Sequence, residues 1–298
     1  MCRFLTYSGR PVLMYDLLYE PKNSLIKQSV QAHESVEPLN GDGFGIGWYN
    51  LEFDESPGLY TSCRPAWNDR NLSSLSRKIK SNRFFAHVRA ANSGGVTEVN
   101  CHPFVFKNFM FMHNGEIEDF HIIKRYLRRE VSDEIYNWIQ GQTDSEHIFG
   151  LFLHYLFKEF SKKPTPQQCM SAMVMAINKI IELKKVSGNE SDNYINLSLS
   201  DGENTICLRY VTHHHEYAST LYYSEGSTYE CHDGICRMRS PKENEPKTVL
   251  IVSEKLTSVE KDWSEVPVNH FIVVDKDQNV SLHSFDSIAE SLLAKKAA

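Results

Sequence analysis

Two helices with explicit start signals stand one after the other in the middle of this chain, and short apolar runs crowd on either side of them. The first follows Gln142. Thr143 with Glu146 three residues on makes a capping box, and Ile148, Phe149, Phe152, Tyr155 and Leu156 then recur at helical spacing. The second opens at Thr165-Pro166-Gln167-Gln168, with a cap, a proline at the first helical position and a glutamine at the third, and should run to about Lys185. Ahead of them, Phe84 to Arg89 and Phe109 to His113 are near-continuous apolar runs that predict strands covered on both faces. Arg3 to Tyr7 and Phe44 to Tyr49 are shorter strands. Helices are expected over Asn68 to Lys80 and over Asp119 to Arg129, the latter with Phe120, Ile123 and Leu127 on one face. Beyond the central pair the strand pattern returns at Ile195–Leu199, Thr205–Val211, Thr220–Ser224, Val249–Val252, Phe271–Val274 and Val280–Ser284, and the tail from Asp286 to Lys296 reads as helix. Asp201-Gly202-Glu203-Asn204 is a hairpin connection. Strands, then helices, then strands predict an α+β fold in which helices cover the outsides of two sheets. The polar stretches Ser187–Asn193 and Ser240–Lys247 are too short for domain linkers, so one domain spanning 2–298 is expected; the loop Tyr49 to Asp69 is a candidate gate.

Composition narrows the possible partners. The 298 residues are 41% hydrophobic and 23% charged, ordinary for a soluble globular protein and ample for a continuous core. A net charge of -6 argues against nucleic acid and anionic membrane surfaces, and the one basic cluster, Lys124, Arg125, Arg128 and Arg129, is read as the solvated face of a helix. No apolar run approaches the roughly 20 residues of a membrane span, and the opening MCRFLTYSGR lacks the layout of a secretory signal. The seven cysteines are odd in number and scattered, so no disulfide framework is expected and a reducing, cytoplasmic setting fits. His213-His214-His215 and the Cys231-His232 … Cys236 segment are partial metal-ligand patterns without a second cluster, and no GxxxxGK[ST] phosphate loop occurs; neither metal nor other cofactor is expected.

The chemistry begins at Cys2. Met1 is generally removed when residue two is small, which would leave a thiol and a free α-amine on one residue. Such an amine titrates near 7.7–8 and can serve as its own base for the thiol, the terminal-amine route to an activated nucleophile. Attack on an amide builds a negative oxygen that needs preorganised donors, and His113-Asn114-Gly115 offers an amide side chain beside a backbone that glycine lets approach closely. Alone, Asn-Gly is also an ordinary turn. Arg89, ending an apolar strand, presents a planar fork suited to a carboxylate, and Asp144, in the first turn of a helix, suits an ammonium group. Cys101 and His102 are neighbours on an extended segment, point opposite ways and are not expected to act as a pair.

Taken in order, Met1-Cys2-Arg3-Phe4, Asn40-Gly41-Asp42-Gly43-Phe44-Gly45, His87-Val88-Arg89-Ala90, Asn100-Cys101-His102-Pro103-Phe104, His113-Asn114-Gly115-Glu116-Ile117 and Gln142-Thr143-Asp144-Ser145-Glu146 resemble the class II glutamine amidotransferases, which are N-terminal-nucleophile (Ntn) hydrolases. Ser253-Glu254-Lys255-Leu256-Thr257 and Trp263 resemble the later part of the same family. The resemblance covers nearly the whole chain. It implies a four-layer αββα sandwich with two mainly antiparallel sheets. It implies Cys2 as nucleophile, Asn114 and Gly115 as the oxyanion hole, Arg89, Asp144 and His102 as substrate-binding residues, and Asp42, Gly43 and His113 as residues that shape the pocket. The chain departs from the family at Ala90-Ala91-Asn92-Ser93-Gly94-Gly95, where many members carry a Thr-Gly pair, and at Thr143, where serine is common.

The amidotransferase-like region uses essentially the whole chain and leaves no room for a synthase domain. The resemblance is closest to a stand-alone fungal subfamily that opens with M-C-R-F, contains N-G-D-G-F-G and N-C-H-P-F, and degrades glutathione with a metallopeptidase-like partner; a bacterial relative removes a γ-glutamyl group. It implies cleavage of a γ-glutamyl amide in glutathione, a related compound or glutamine, through a γ-glutamyl thioester. The alternatives are a glutaminase subunit donating ammonia to a separate synthase, and a subunit inactive without its partner.

Overall fold

A computed structural model of the chain describes residues 2–34, 37–160, 163–232, 235–240 and 245–297. In chain order the first half runs β1 (Arg3–Leu13), α1 (Met14–Leu18), α2 (Leu25–Val30), β2 (Phe44–Asn50), β3 (Asp54–Ser62), α3 (Arg70–Ser76), β4 (Lys80–Val88), β5 (Phe104–Phe106) and β6 (Phe109–Ile117). Four helices follow: α4 (Phe120–Glu130), α5 (Asp133–Trp138), α6 (Asp144–Glu159) and α7 (Pro166–Val186). The rest is β7 (Asn193–Ser200), β8 (Thr205–Val211), β9 (Tyr222–Gly226), β10 (Thr228–His232), β11 (Ile235–Arg239), β12 (Thr248–Val252), β13 (Ser264–Glu265), β14 (His270–Val274), β15 (Val280–Ser284) and α8 (Phe285–Ala297).

The strands form a seven-stranded sheet in the order β13-β9-β12-β1-β4-β2-β3, a six-stranded sheet in the order β15-β14-β8-β7-β6-β5, and the separate hairpin β10–β11. All pairings are antiparallel. Both large sheets are apolar on two faces, and the period of two sorts their side chains into separate cores. On β6, Phe109 and Phe111 face the helices while Met110 and Met112 face the other sheet; on β12, Leu250 and Val252 point outward while Val249 and Ile251 point between the sheets. The inter-sheet layer is completed by Phe4, Phe85, Cys207 and Ile272. Outside the six-stranded sheet lie α4, α6, α7 and α8; outside the seven-stranded sheet lie α1, α2, α3 and the β10–β11 hairpin. The result is the four-layer αββα sandwich, and each fully buried Leu, Ile or Phe adds about 2 kcal/mol to it relative to exposure.

The central helices begin where their caps predict. Thr165 accepts from Gln168 N and the Gln168 side chain accepts from Thr165 N, so α7 has both halves of its box. At α6 only half forms. Thr143 Oγ accepts from Glu146 N, but the Glu146 carboxylate turns to the backbone N–H groups of Gln140 and Gly141 and ties down the preceding loop. The helix expected over Asn68–Lys80 is shorter, because Asp69 caps it at Leu72 N and Lys80 already belongs to β4. The stretch Tyr49–Asp69 is not a free loop. It carries β3, which pairs with β2 along its length. Of the polar loop Ser240–Lys247, residues 241–244 lie outside the described residues, as does Met1.

Cys231 and Cys236 are cross-strand partners on β10 and β11, and their sulfurs are bonded to each other. This pair goes beyond the sequence expectation, which is only that no disulfide framework exists. A hairpin brings these two Cα atoms to 4.1 Å, a closeness that spacing along the chain does not reveal. The link is a local staple, not a framework, since Cys2, Cys63, Cys101, Cys169 and Cys207 are free thiols. It also leaves no thiolate pair there for zinc, and among the described residues no group of three His, Cys, Asp or Glu is arranged to hold a metal. No described helix is long and apolar enough to cross a membrane.

Candidate active site

The ends of β1, β4 and β6 meet the start of α6, and a pocket opens there whose lining includes Cys2, Arg89, His102, His113, Gly115 and Asp144. Six positions spread over the first half of the sequence thus share one cavity. Cys2 leads directly into β1, whose Arg3 pairs with Val88 of β4; the nucleophile candidate therefore lies beside the strand end that carries Arg89. The Cys2 thiol donates to the Ala90 carbonyl at 3.4 Å. Burial pushes this thiol up from its ordinary value, against the pull of the Ala90 backbone and the positive charges of Arg89 and Arg3.

Gly115 has no room for a side chain. A Cβ there would lie 1.8 Å from the carbonyl oxygen of Tyr194 on the neighbouring β7. Its backbone therefore runs against that strand and lines the pocket. Asn114 is fully buried, and its Nδ2 donates to Ser253 Oγ at 3.3 Å. One Nδ2 hydrogen remains uncommitted among the described residues, and Oδ1 has no partner. Asn114 is thus behind the cavity wall, next to Gly115, with its amide anchored toward Ser253.

Arg89 is buried, and its Nη1 and Nη2 donate to the carbonyls of Gly95 and Ser93 at 3.2 and 2.9 Å. No carboxylate of the described residues pairs with it. Asp144, at the first position of α6, accepts from Ile117 N at 2.9 Å and from Ser145 N at 2.8 Å, and it has no cationic partner either. The pocket therefore presents a guanidinium and a carboxylate, each oriented by neutral groups. Burying two charges without a mutual partner is costly unless a ligand supplies the counter-charges.

Asp42 and Gly43 do not line the cavity. They hold its edge: Asp42 N donates to the Arg89 carbonyl, Arg89 N donates to the Gly43 carbonyl, and Asp42 Oδ2 accepts from Ala91 N, all at 2.9 Å. Gly43 has φ +120°, and a Cβ would meet Cys101 Sγ at 2.6 Å. Three histidines cluster here, His102 and His113 in the cavity lining and His87 stacked on His102. His113 Nε2 faces the Tyr194 carbonyl and so must donate, and in the neutral ring Nδ1 accepts from Ser145 Oγ at 2.9 Å. His87 and His102 stack with centroids 4.1 Å apart, and burial holds His87 down at about 3 and His102 and His113 below their ordinary range. Both His102 ring nitrogens are buried without a partner among the described residues, so this ring has a donor and an acceptor to offer a ligand. Cys101 turns away toward the Ser62 and Thr97 carbonyls and is pushed up to about 11 by burial, so it is no partner for His102.

Sequence reasoning missed a clamp behind the nucleophile. Arg3 is fully buried, donates to the carbonyls of Cys2 and Glu34, and faces Glu254 at 3.6 Å. Glu254 in turn accepts from His33 N and Glu34 N. The signal was present as a charge bordering each of two apolar segments, Arg3 at the start of β1 and Glu254 just beyond β12. Glu116, beside Gly115, also lines the cavity; burial and the charge of Asp144 raise it above the usual carboxylate range.

A four-layer sandwich of antiparallel sheets with a cysteine at the start of its first strand is the architecture of the Ntn hydrolases. The family described as glutamine amidotransferases class-II matches residues 24–297. The probable glutamine amidotransferase DUG3 of Saccharomyces cerevisiae is 37% identical over 95% of this chain and 84% of its own length. This chain belongs to the class II glutamine amidotransferases. The gamma-glutamyl-hercynylcysteine sulfoxide hydrolase of Mycolicibacterium smegmatis is 30% identical over 40% of this chain and 52% of its own length. Among solved structures, the glutamine aminotransferase class-II domain protein of Silicibacter pomeroyi shares the fold with a TM-score of 0.64 at 23% identity, covering 95% of this chain and 99% of that one. The glutamine phosphoribosylpyrophosphate amidotransferase of B. subtilis shares it with a TM-score of 0.58 at 14% identity, covering 95% of this chain and 49% of that one. Cys2 lies before the first residue of the family match.

Proposed function

We propose that this chain, as one domain beginning at Cys2, hydrolyses the γ-glutamyl amide bond of glutathione or a related compound, with glutamine as a further substrate. The observation that carries the reading is the convergence of Cys2, Arg89, Gly115 and Asp144 on one cavity, with no ion-pair partner among the described residues for the guanidinium or for the Asp144 carboxylate. A γ-glutamyl group brings the matching α-carboxylate and α-ammonium, and pairing them with Arg89 and Asp144 holds the γ-carbonyl within reach of the thiol. The mycobacterial relative, named as a γ-glutamyl hydrolase, supports this substrate class.

In this mechanism Met1 has been removed and the free amine of Cys2 takes the thiol proton. The sulfur bonds to the γ-carbon, and the oxyanion is held by Gly115 N–H and by Asn114 Nδ2, whose amide turns from Ser253 toward the cavity when substrate binds. The amine returns the proton to the leaving nitrogen as the C–N bond breaks. Water then cleaves the thioester, giving glutamate and the free thiol. The scheme uses neither metal nor nucleotide. His102 contacts substrate, while Asp42, Gly43 and His113 keep the pocket's shape. The protein acts in the cytoplasm on a small-molecule substrate, beside a metallopeptidase-like partner.

Incubating the purified protein with glutathione or glutamine tests this. Free glutamate should appear, and Cys2→Ala and Cys2→Ser should abolish it; full activity in both variants would overturn the nucleophile assignment. The yeast relative's name, a glutamine amidotransferase, supports the second reading, delivery of ammonia to a synthase. Glutamine turnover with no glutathione turnover, stimulated by an added synthase partner, would favour it.

A further inference from the structure

The outer face of α4 gathers four cations, of which Lys124 and Arg128 feel the nearby carboxylate of Glu146. His121, Lys124, Arg125, Arg128 and Arg129, with Tyr136 of α5, line an open concavity of about 440 Å3. None of the four Lys and Arg side chains makes an ion pair with a carboxylate among the described residues. Lys124 Nζ donates to the carbonyl and side chain of Gln142, and Arg128 donates to His147 and the Gly141 carbonyl, all neutral acceptors. Arg125 and Arg129 are exposed and have no partner among the described residues. Glu146, the carboxylate behind this face, is already committed to the N–H groups of Gln140 and Gly141.

Four clustered cations repel one another, and a chain of net charge -6 has carboxylates to spare, so their mutual isolation points outward. The lining includes an aromatic ring as well. Tyr136 in the lining is 49% exposed, and Arg and Tyr are both enriched at protein interfaces. The remaining negative charge of the surface disfavours a nucleic acid or an anionic membrane, each of which would meet it over a wider area. An open groove that includes Tyr136 suits an extended peptide better than a small anion, which needs an enclosing cradle.

We propose that the α4–α5 groove is a docking surface for an acidic segment of a protein partner. A partner bound there sits near Gln142, which Lys124 contacts and which is two residues ahead of Asp144, so it lies beside the candidate active site without occupying it. The proposal does not depend on the substrate assignment.

The probe is a fluorescein-labelled dodecamer of glutamate with one central tyrosine, titrated into the full chain at low ionic strength. Saturable binding that weakens with added salt is expected. Arg125→Glu with Arg129→Glu should weaken it at least tenfold. Lys78→Glu with Lys276→Glu, the same charge change elsewhere on the surface, should alter it less than threefold. Both double variants should keep the wild-type thermal midpoint. No binding, or equal weakening in the two double variants, would overturn the proposal. Displacement of the probe by inorganic phosphate or pyrophosphate at equal concentration would overturn it too, by making the groove a small-anion site.

Discussion

The Arg3 guanidinium lies 3.6 Å from the Glu254 carboxylate with both side chains shut off from water. The pair joins the residue after the nucleophile candidate to the turn following β12, and through Glu34 it also holds the 33–34 segment. Removing one charge of such a pair strands the other in a low-dielectric interior. Glu254→Gln is expected to lower the unfolding free energy by about 3 kcal/mol, read from urea melts. An unchanged midpoint would mean that the Arg3 charge is solvated or neutralised by another group.

Gly115 leads to the second prediction. Because a Cβ would lie 1.8 Å from the Tyr194 carbonyl, Gly115→Ala must push β6 away from β7. The thermal midpoint is expected to fall and glutamate release to be lost. Gly95→Ala is the control. Its Cβ would meet nothing nearer than Thr97 at 4.0 Å, so the variant should fold as well as the parent. Equal stability of the two variants would contradict the crowding at Gly115.

Much of this fold is legible in the sequence where signals are local. The caps at Thr143 and Thr165 mark the starts of α6 and α7, and β8 and β15 fall within the ranges expected from their apolar runs. Strand β3 is not legible, because its sequence DESPGLYTS is polar and carries Pro57 and Gly58. It survives as the edge of its sheet, where a missing N–H costs little. The β10–β11 hairpin and its disulfide are hidden as well, since Tyr229, Cys236 and Met238 join an outer core built from segments distant in sequence. At the site, the motif residues announce themselves one by one. Their tethers do not: the Arg3–Glu254 pair and the Asn114–Ser253 bond connect chain segments far apart in sequence, and no local spacing encodes them.

Asp144 allows a test of ligand charge with little change of shape. Asn at this position keeps one of the two backbone hydrogen bonds, to Ile117 N or Ser145 N, and removes the negative charge. If that charge meets the substrate ammonium, Asp144→Asn should reduce kcat/KM for a γ-glutamyl substrate about a hundredfold, corresponding to roughly 2–3 kcal/mol for a charge-assisted contact. The same variant should lose much less on a γ-amide lacking the α-amino group. A uniform loss on both substrates would assign Asp144 to helix capping alone.

Acid should weaken this fold well above the range of ordinary carboxylates. His147 is locked neutral: Nδ1 donates to the Thr143 carbonyl, so Nε2 must accept from Arg128 Nε, and a second proton would set N–H against N–H. Burial holds both His87 and His147 at about 3 in the folded protein. Their unfolded counterparts titrate near 6.5. Between those values the unfolded chain binds more protons, so stability is full above pH 6.5 and is lost as pH falls toward 3. From pH 7 to pH 5 the loss is about 2 kcal/mol for each of these two histidines. Glu116 and Glu146, raised by burial, act in the opposite sense, because in the folded state they take up protons first. Urea melts followed by tryptophan fluorescence at pH 7, 6 and 5 measure the balance. The midpoint is expected to fall at each step, and His147→Gln, which cannot take up a proton, should shallow the slope. A midpoint that holds level from pH 7 to 5, with His147→Gln leaving the slope unchanged, would mean that these imidazoles are reached by water in the folded state.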